Sequence, residues 1–401
     1  MQDYIELEKL YYKNKDIKSE YESRINNPCS IKTSLFINPI NNRGNRIEKE
    51  YELFYLPIKD ILILQDKINE NSKIIITLSD KLPSSAKESC IIEIMVNEIV
   101  KSNEVEGINT TKKEIYEVMS YKKADRLSGI VNKYTQIINK KFEKIIFVED
   151  FRKLYDEIFG KDLLMDENNK LDGELFRNTK VHINNGLKNI HTGDSNEKII
   201  IKHLKDLIKF MNDDSVNFLI KASITHYYFE YIHPFYDGNG RTGRFLCSMY
   251  LARKLDILTG LSLSYSIFNE KNKYSKLFKS ASSEKNFGEM TFFIKGFLEF
   301  ILRGQENIKE MLKSKRDKLD YIKKEIEKLE LEKIKKMVLM IYSENFIFSD
   351  EIFLKDKDLS KRLKISRNEL NKVLKELVEH GYLIKIRKNP SIHILGDKIK
   401  I

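Results

Sequence analysis

His233-Pro234-Phe235-Tyr236-Asp237-Gly238-Asn239-Gly240-Arg241-Thr242-Gly243-Arg244 gathers a proton acceptor, a carboxylate, flexible glycines and two arginines into twelve consecutive residues. Phosphate chemistry requires these parts close together. The preceding segment, Ala222 to Ile232, carries apolar residues at roughly helical spacing and no glycine, which predicts a helix. That helix is expected to stop at His233, because Pro234 disfavours helical backbone in the residue before it. Phe235 is expected to plug the loop into the core. Asp237 to Gly240 reads as a turn, with Gly238, Asn239 and Gly240 all tolerant of positive φ. A second helix is predicted from Arg241 to Leu255. A glycine loop feeding a helix start presents free backbone N–H groups and the positive end of the dipole to an anion. Arg241 and Arg244, three apart on one helical face, can grip the same phosphate chain.

Other motif readings fail on context. Gly238 to Gly243 also spells the dinucleotide fingerprint GxGxxG, but that fingerprint follows a strand, and here a helix is expected. No Walker A string occurs; Gly160-Lys161 lacks its partners. Cys29, Cys90 and Cys247 are scattered and no His-Glu-x-x-His occurs, so a zinc site is not indicated. A plain surface loop would account for one such residue, not for the whole set.

The twelve residues resemble the signature of the Fic (Fic/Doc) family of nucleotidyl transferases, His-x-Phe-x-Asp/Glu-Gly-Asn-Gly-Arg-x-x-Arg, at every fixed position. The lead-in Phe229 to Ile232 is also similar. The resemblance implies transfer of AMP from ATP to a Ser, Thr or Tyr hydroxyl of a protein, with release of pyrophosphate. It implies His233 as general base and Asp237 as the holder of Mg²⁺. Gly238, Asn239 and Gly240 would line the pocket around the α-phosphoryl group, while Arg241 and Arg244 would hold the β- and γ-phosphates. Tyr274, in the segment Ser264 to Tyr274, is a candidate adenine neighbour or a core tyrosine.

Upstream, Ser84 to Gly107 reads as one amphipathic helix. Ile91, Ile94, Met95, Glu98 and Val105 share a face that only Glu98 interrupts, and Gly107 is a natural C′ residue. Ser102-Asn103-Glu104-Val105-Glu106-Gly107 resembles the family's inhibitory pattern, here N-terminal to the signature. The resemblance implies that Glu106, with Ser102, occupies Arg244 and restrains transfer. In some relatives the same glutamate positions a water that removes AMP, so a de-AMPylating hydrolase stays open. Gly173 to Ile183, an Asn184-Asn185-Gly186 turn and Leu187 to His191 match the place of the family's flap, a β-hairpin expected near 181–191 that pairs main chain with the target protein. Family prolines after the hairpin are missing here. His182 and His191 are expected at the surface.

The fold expected is mainly α: an all-helical Fic core with a small β-hairpin flap, plus a C-terminal winged-helix (α+β) domain. The expected division is an N-terminal region over 1–85, a core over 86–305 with its inhibitory helix at 86–106, a charged connector helix over 306–335, and a winged helix-turn-helix over 336–401. The connector's apolar seam (Ile308, Leu312, Leu319, Ile322, Ile326, Leu329) suits a packed neighbour or a homodimer contact. In the last domain, Leu359 to Ile365 and Arg367 to His380 are expected helices, Ser366 an N-cap, and Tyr382 to Ile386 and Ser391 to Leu395 wing strands around a Lys388-Asn389-Pro390 turn. Arg367, Asn368, Lys372 and Lys375 are candidate DNA contacts, opposed by Glu369, Glu376 and Glu379. A DNA-binding regulator whose core senses nucleotide is the reading from another class.

The 401 residues are 41% hydrophobic, enough for a sizeable core and smaller additions. The net charge of +11 reflects 71 basic against 60 acidic residues, a lysine-rich solvated surface more than a nucleic-acid patch. No apolar run long enough to span a bilayer is present. The absence of an N-terminal leader pattern and the three scattered cysteines lead to the expectation of a cytoplasmic protein.

Overall fold

The computed structural model describes residues 4–13, 15–121, 126–160, 169–184, 189–348, 356–388 and 391–399. The chain divides into two compact units, 1–72 with 97–306, and 73–96 with 307–401. In chain order, α1 (Leu7–Tyr11) and α2 (Ile17–Ile25) precede an antiparallel pair, β1 (Ile31–Ile37) and β2 (Tyr51–Tyr55). Helices α3 (Lys59–Asp80), α4 (Ser84–Val105), α5 (Lys112–Tyr121), α6 (Ser128–Ile138) and α7 (Val148–Phe159) follow. A second antiparallel pair, β3 (His182–Asn184) and β4 (Asn189–Thr192), leads to α8 (Glu197–Met211), α9 (Phe218–Ile232) and α10 (Asn239–Lys254). Then come α11 (Ile257–Gly260), α12 (Leu263–Asn269), α13 (Lys271–Ser282) and α14 (Thr291–Lys328). The chain closes with α15 (Lys333–Phe348), α16 (Asp356–Leu363), α17 (Arg367–Glu379) and the antiparallel pair β5 (Leu383–Lys388) and β6 (Ser391–Leu395). The fold is mainly helical with small antiparallel sheets, as the sequence predicts.

In the first unit, α9 and α10 are buried around most of their circumference and form its centre. Helices α7 and α8 are amphipathic and each turns one apolar face inward: Phe151, Leu154 and Ile158 from α7, and Ile200, Leu204 and Leu207 from α8. Phe235 is fully buried and stacks on Tyr155 with ring centroids 3.7 Å apart, which anchors the loop between α9 and α10.

Helix α9 ends at Ile232, and its last carbonyls need donors from outside the helix. His233 adopts a left-handed conformation (φ 54°, ψ 63°), which costs a non-glycine residue about 1–2 kcal/mol. Two arginines hold this turn. Arg177, fully buried, donates from Nε to the His233 carbonyl at 2.7 Å and from Nη2 to that of Ile232 at 3.2 Å. Its Nη1 donates to the carbonyls of Thr179 and Asp194, at 2.7 and 2.6 Å. Arg46 donates to the carbonyls of Tyr231 (2.8 Å) and Thr192 (2.7 Å) and pairs with the buried Asp194 carboxylate. Asp194 also accepts from His203 Nδ1 at 2.8 Å and sends its own N–H to the Ile232 carbonyl. The end of β4, the loop between β1 and β2 and the end of α9 are thereby tied to one turn.

In the second unit, Leu370, Val373, Leu374 and Leu377 of α17 are buried, and α17 follows an N-cap in which Ser366 accepts from the Glu369 N–H. Gly381 takes φ 76° just after that helix.

Three expectations change. The charged stretch from Glu306 is no separate connector: α14 runs unbroken from Thr291 to Lys328 and the next helix begins at Lys333. A shift in composition marked the boundary, and composition alone does not end a helix. The seam residues Ile308, Leu312, Leu319, Ile322 and Ile326 are buried within the chain itself. Residues 1–85, expected only as an N-terminal region, contain the pair β1–β2. The turn residues Asn185 and Gly186, Leu187, and the wing turn at 389–390 lie outside the described residues.

Arg177→Met is expected to destabilise the first unit by about 3 kcal/mol, since several buried carbonyls lose charged donors together. Arg177→Lys should recover only part, because a point ammonium cannot reproduce the fork. Chemical denaturation of the two variants checks this; a loss under about 1 kcal/mol for methionine would contradict it.

Candidate active site

Most of the His233 side chain is buried. Nδ1 is enclosed without a close hydrogen bond, 4.0 Å from a Glu230 carboxylate oxygen. Burial, reinforced by the Arg177 charge, lowers its pKa to about 4. The imidazole is therefore neutral at physiological pH and free to accept a proton.

The loop after it closes on itself. Asn239 accepts from the Phe235 N–H at 2.9 Å and donates to the Phe235 carbonyl at 2.8 Å. Its side chain thus points into the loop and not toward a pocket, and Asn239 reaches an anion only through its backbone. Gly238 takes φ 82° as the N-cap of α10, a conformation that glycine adopts without penalty. The helix starts at Asn239, two residues before the predicted Arg241. Asp237 accepts from the Gly238 N–H at 2.6 Å, and its other oxygen lies 3.5 Å from Arg241 Nη2. About half of that side chain stays open to solvent, which leaves room for a cation. Arg241 is buried, its guanidinium 4.4 Å over the Phe159 ring.

The first turn of α10 offers unpaired N–H groups and a positive dipole end, and Glu106 fills that position. Its Oε1 is 2.7 Å from Arg244 Nη1 and would lie 2.1 Å from a Cβ on Gly240, so only glycine leaves space for it there. Arg244 also donates from Nε to Ser102 Oγ at 3.1 Å and from Nη2 to the Ser102 carbonyl at 2.8 Å. Burial raises the Glu106 pKa, but the Arg244 charge outweighs it and the net shift is downward. Arg244 shifts the other way: burial disfavours its charge, Glu106 restores it, and the net shift is upward. Glu106 is fixed because α4 ends in a Schellman motif: Ile108 N–H bonds to Asn103 O, Gly107 N–H to Glu104 O, and Gly107 takes φ 76°.

Glu98, the polar break in the apolar face, belongs to the same arrangement. Fully buried, it accepts from Ser264 N–H (2.7 Å), Ser264 Oγ (2.6 Å) and Ser248 Oγ (3.2 Å). Glu98, Ser102 and Glu106, four residues apart, meet Ser248, Arg244 and Gly240, also four apart and running the other way. This polar seam joins α4 to α10. Burial lifts the Glu98 pKa to about 7.

Sequence reading missed Glu230, whose burial raises its pKa to about 8 and whose Oε1 has no hydrogen-bond partner among the described residues. It also left Arg46, Arg177 and Asp194 without roles; only their type, charged residues amid apolar ones, hinted at them. Tyr274 proves to be a core residue: it is buried, its hydroxyl 2.6 Å from His226 Nε2. The flap strands pair as predicted, and His182 is exposed. Arg367, Asn368, Lys372 and Lys375 are exposed on α17 in the second unit, Lys375 lying 3.7 Å from Glu379. No helix among the described residues is long and apolar enough to cross a membrane. No cluster of three metal-ligating side chains occurs among them either.

The sequence pattern of the Fic/DOC family matches residues 148–251. Protein adenylyltransferase fic-1 of Caenorhabditis elegans is 39% identical over 57 residues, 14% of this chain and 11% of that protein. Protein adenylyltransferase Fic of Drosophila willistoni is 26% identical over 108 residues, 27% of this chain and 20% of that protein. The chain therefore spans only a small part of the length of these curated relatives. A Fic family protein from Desulfovibrio desulfuricans G20 superimposes with a TM-score of 0.54 at 18% identity, over 86% of this chain and 98% of that one, which shows a shared fold. From α7 through the His233 turn and most of α10, the chain contains a Fic/DOC family domain.

Proposed function

We propose that the chain is a self-inhibited protein adenylyltransferase, moving AMP from ATP to a Ser, Thr or Tyr hydroxyl of a protein. One observation carries this reading: a carboxylate of the chain itself, Glu106, occupies an anion site built from the first turn of α10 and Arg244. A site that holds a carboxylate so closely suits a phosphate chain. In the reaction the target oxygen attacks the α-phosphorus, and His233 Nε2 takes the hydroxyl proton. The bond from the α-phosphorus to the bridging oxygen breaks, and pyrophosphate leaves. Arg241 and Arg244 hold the β- and γ-phosphates, while backbone N–H groups at 238–240 face the charge on the α-phosphoryl oxygens. With Glu106 on Arg244, the triphosphate tail loses its clamp and in-line attack is lost.

Asp237 fits a Mg²⁺ role, since one half-open carboxylate beside phosphate oxygens is the kind of ligand set this ion uses with nucleotides. Bound there, the ion would offset phosphate charge. The β3–β4 hairpin supports main-chain pairing with a target segment. A de-AMPylating hydrolase would use the same site, with Glu106 orienting water. A second activity, DNA binding by a C-terminal winged helix, draws support from the exposed Arg367, Asn368, Lys372 and Lys375 on an N-capped α17. The expected cytoplasmic setting and a homodimer belong to this proposal as well.

Incubation with radiolabelled ATP and Mg²⁺ tests the main reading. Glu106→Gly should raise AMP incorporation about a hundredfold, because a buried arginine is released from its partner, and adding His233→Ala should abolish it. Equal incorporation by all three proteins would overturn the proposal, and release of AMP from a modified target only with Glu106 intact would favour the hydrolase.

The pH dependence follows from the two shifts. With His233 near 4, transfer by Glu106→Gly should stay flat from about pH 5.5 to 8 and fall only in stronger acid, when the base is protonated. The Glu106 contact is fully present above its ordinary value of 4.5 and is lost as pH falls through its lower folded value, so the intact protein stays restrained at pH 5. An inflection near 6.5 in the rate profile would contradict a buried base.

For the second activity, Arg367→Glu with Lys372→Glu should remove salt-dependent binding to duplex DNA in a fluorescence anisotropy titration. Binding indifferent to both changes would reject it.

A further inference from the structure

Glu106 stands just past the last turn of α4, and 36% of its side chain is open to solvent, so it can leave Arg244 without emptying the core. Glu98, two turns earlier, is fully buried and has no such exit. Its carboxylate also serves a helix other than α10. Helix α12 begins at Leu263, after Ser262, whose hydroxyl is taken up by the Thr259 carbonyl at 2.9 Å and gives the helix no cap. The first N–H groups of a helix lack acceptors of their own. Glu98 supplies one here: its Oε2 accepts from the Ser264 N–H at 2.7 Å, and its Oε1 accepts from the Ser264 hydroxyl at 2.6 Å. The same Oε1 accepts from Ser248 Oγ, on α10, at 3.2 Å.

We propose that Glu98 is a positioning residue that locks the register of α4 along α10 and so delivers Glu106 to Arg244. The inference rests on the self-inhibited adenylyltransferase reading. It extends that reading to a residue outside both the His233–Arg244 signature and the Ser102–Glu106 pattern.

Spacing is the first reason. Glu98 and Glu106 are eight residues apart, about 12 Å along a helix, and so are Ser248 and Gly240 on α10. A carboxylate seated at Ser248 therefore brings the second glutamate to Gly240, where the lack of a Cβ leaves it room. The turn at Gly107 completes the delivery, because it fixes how the chain leaves α4.

The penalty for slipping is the second reason. A slide of one turn, about 5.4 Å, would take the carboxylate off three donors at once. Ser248 and Ser264 are fully buried, so water cannot replace it there. An error of register is thus resisted at Glu98, in the core, while the exchange with a phosphate takes place at Glu106, near the surface.

The test uses the full chain with Glu106 intact. Glu98→Ala should raise AMP incorporation about tenfold, the scale of a hydrogen bond to a charged group, and less than Glu106→Gly does. Added to Glu106→Gly it should change nothing, because no glutamate is left to deliver. Glu98→Gln, whose amide accepts from the Ser264 N–H and donates to a hydroxyl, should stay within about twofold of the parent. Isothermal titration reads the register without transfer: Glu98→Ala should bind ATP about tenfold more tightly than the parent, and AMP equally, since AMP lacks the phosphates that Arg244 is proposed to hold. Should Glu98→Ala lose AMP binding, as an unfolded chain would, Ser264→Ala decides, since it removes one hydroxyl and keeps the backbone donor. About threefold tighter ATP binding by that variant supports the lock, and unchanged binding overturns it. Unchanged ATP affinity in a folded Glu98→Ala protein overturns the proposal too, as does an equal gain with and without Glu106. A Glu106→Gly protein that binds ATP but modifies no protein would instead defeat the adenylyltransferase reading, and the titrations would still decide the lock.

Discussion

A guanidinium removed from water must find its compensation inside the protein. Arg244 is 1% exposed, and the charge it carries has to be met by something placed within the core. Carboxylate, hydroxyl and carbonyl meet it here, and the carboxylate stands at the end of one helix against the start of another. Position at a helix C-terminus ordinarily disfavours a glutamate, because the dipole there is negative. Glu106 tolerates that end of α4 because its oxygen reaches the positive end of α10 and an arginine at once. The pair is therefore stable only as a pair. In the proposed reaction a phosphate chain takes the place of the glutamate, offering negative charge and acceptor oxygens.

The histidine side of the site is governed by a different shortage, that of donors. Ending α9 at a left-handed residue ahead of a proline leaves four successive carbonyls, from Tyr231 to Pro234, without helical partners. Each receives one from elsewhere: Arg46 for Tyr231, Asp194 N–H and Arg177 for Ile232, Arg177 Nε for His233, and the Arg177 N–H for Pro234. The backbone strain at His233 is thus held by groups that also tie down the base of the β3–β4 hairpin. His233 and the hairpin thus share their supports.

What could be read from the chain alone followed locality. The signature, the α4 helix and its Gly107 terminus, the β3–β4 hairpin and the Ser366 cap are set by residues within a few positions of one another, and short-range sterics leaves a clear mark on sequence. Glu98 stood out as an exception to an apolar face, yet its partners Ser248 and Ser264 lie some 150 residues away and no periodicity points to them. Arg46 and Asp194 are unremarkable in sequence and meet only because the β1–β2 loop and the end of β4 both reach the end of α9. Asn239 misled for the opposite reason: its residue type suits an anion pocket, but the loop needs its amide to pair with Phe235, and a buried backbone polar group outranks a ligand contact. Tyr274 was legible only as an aromatic on a helix; whether it faces nucleotide or core depends on packing against α9 and α14.

Three carboxyls, Glu98, Glu106 and Glu230, stand near Arg244. Burial holds Glu230 near a pKa of about 8, so at neutral pH it is mostly protonated and contributes little charge. The negative charge of Glu106 disfavours ionising it further. The direct ion pair of Arg244 is therefore the one with Glu106, at the end of α4 and partly open to solvent.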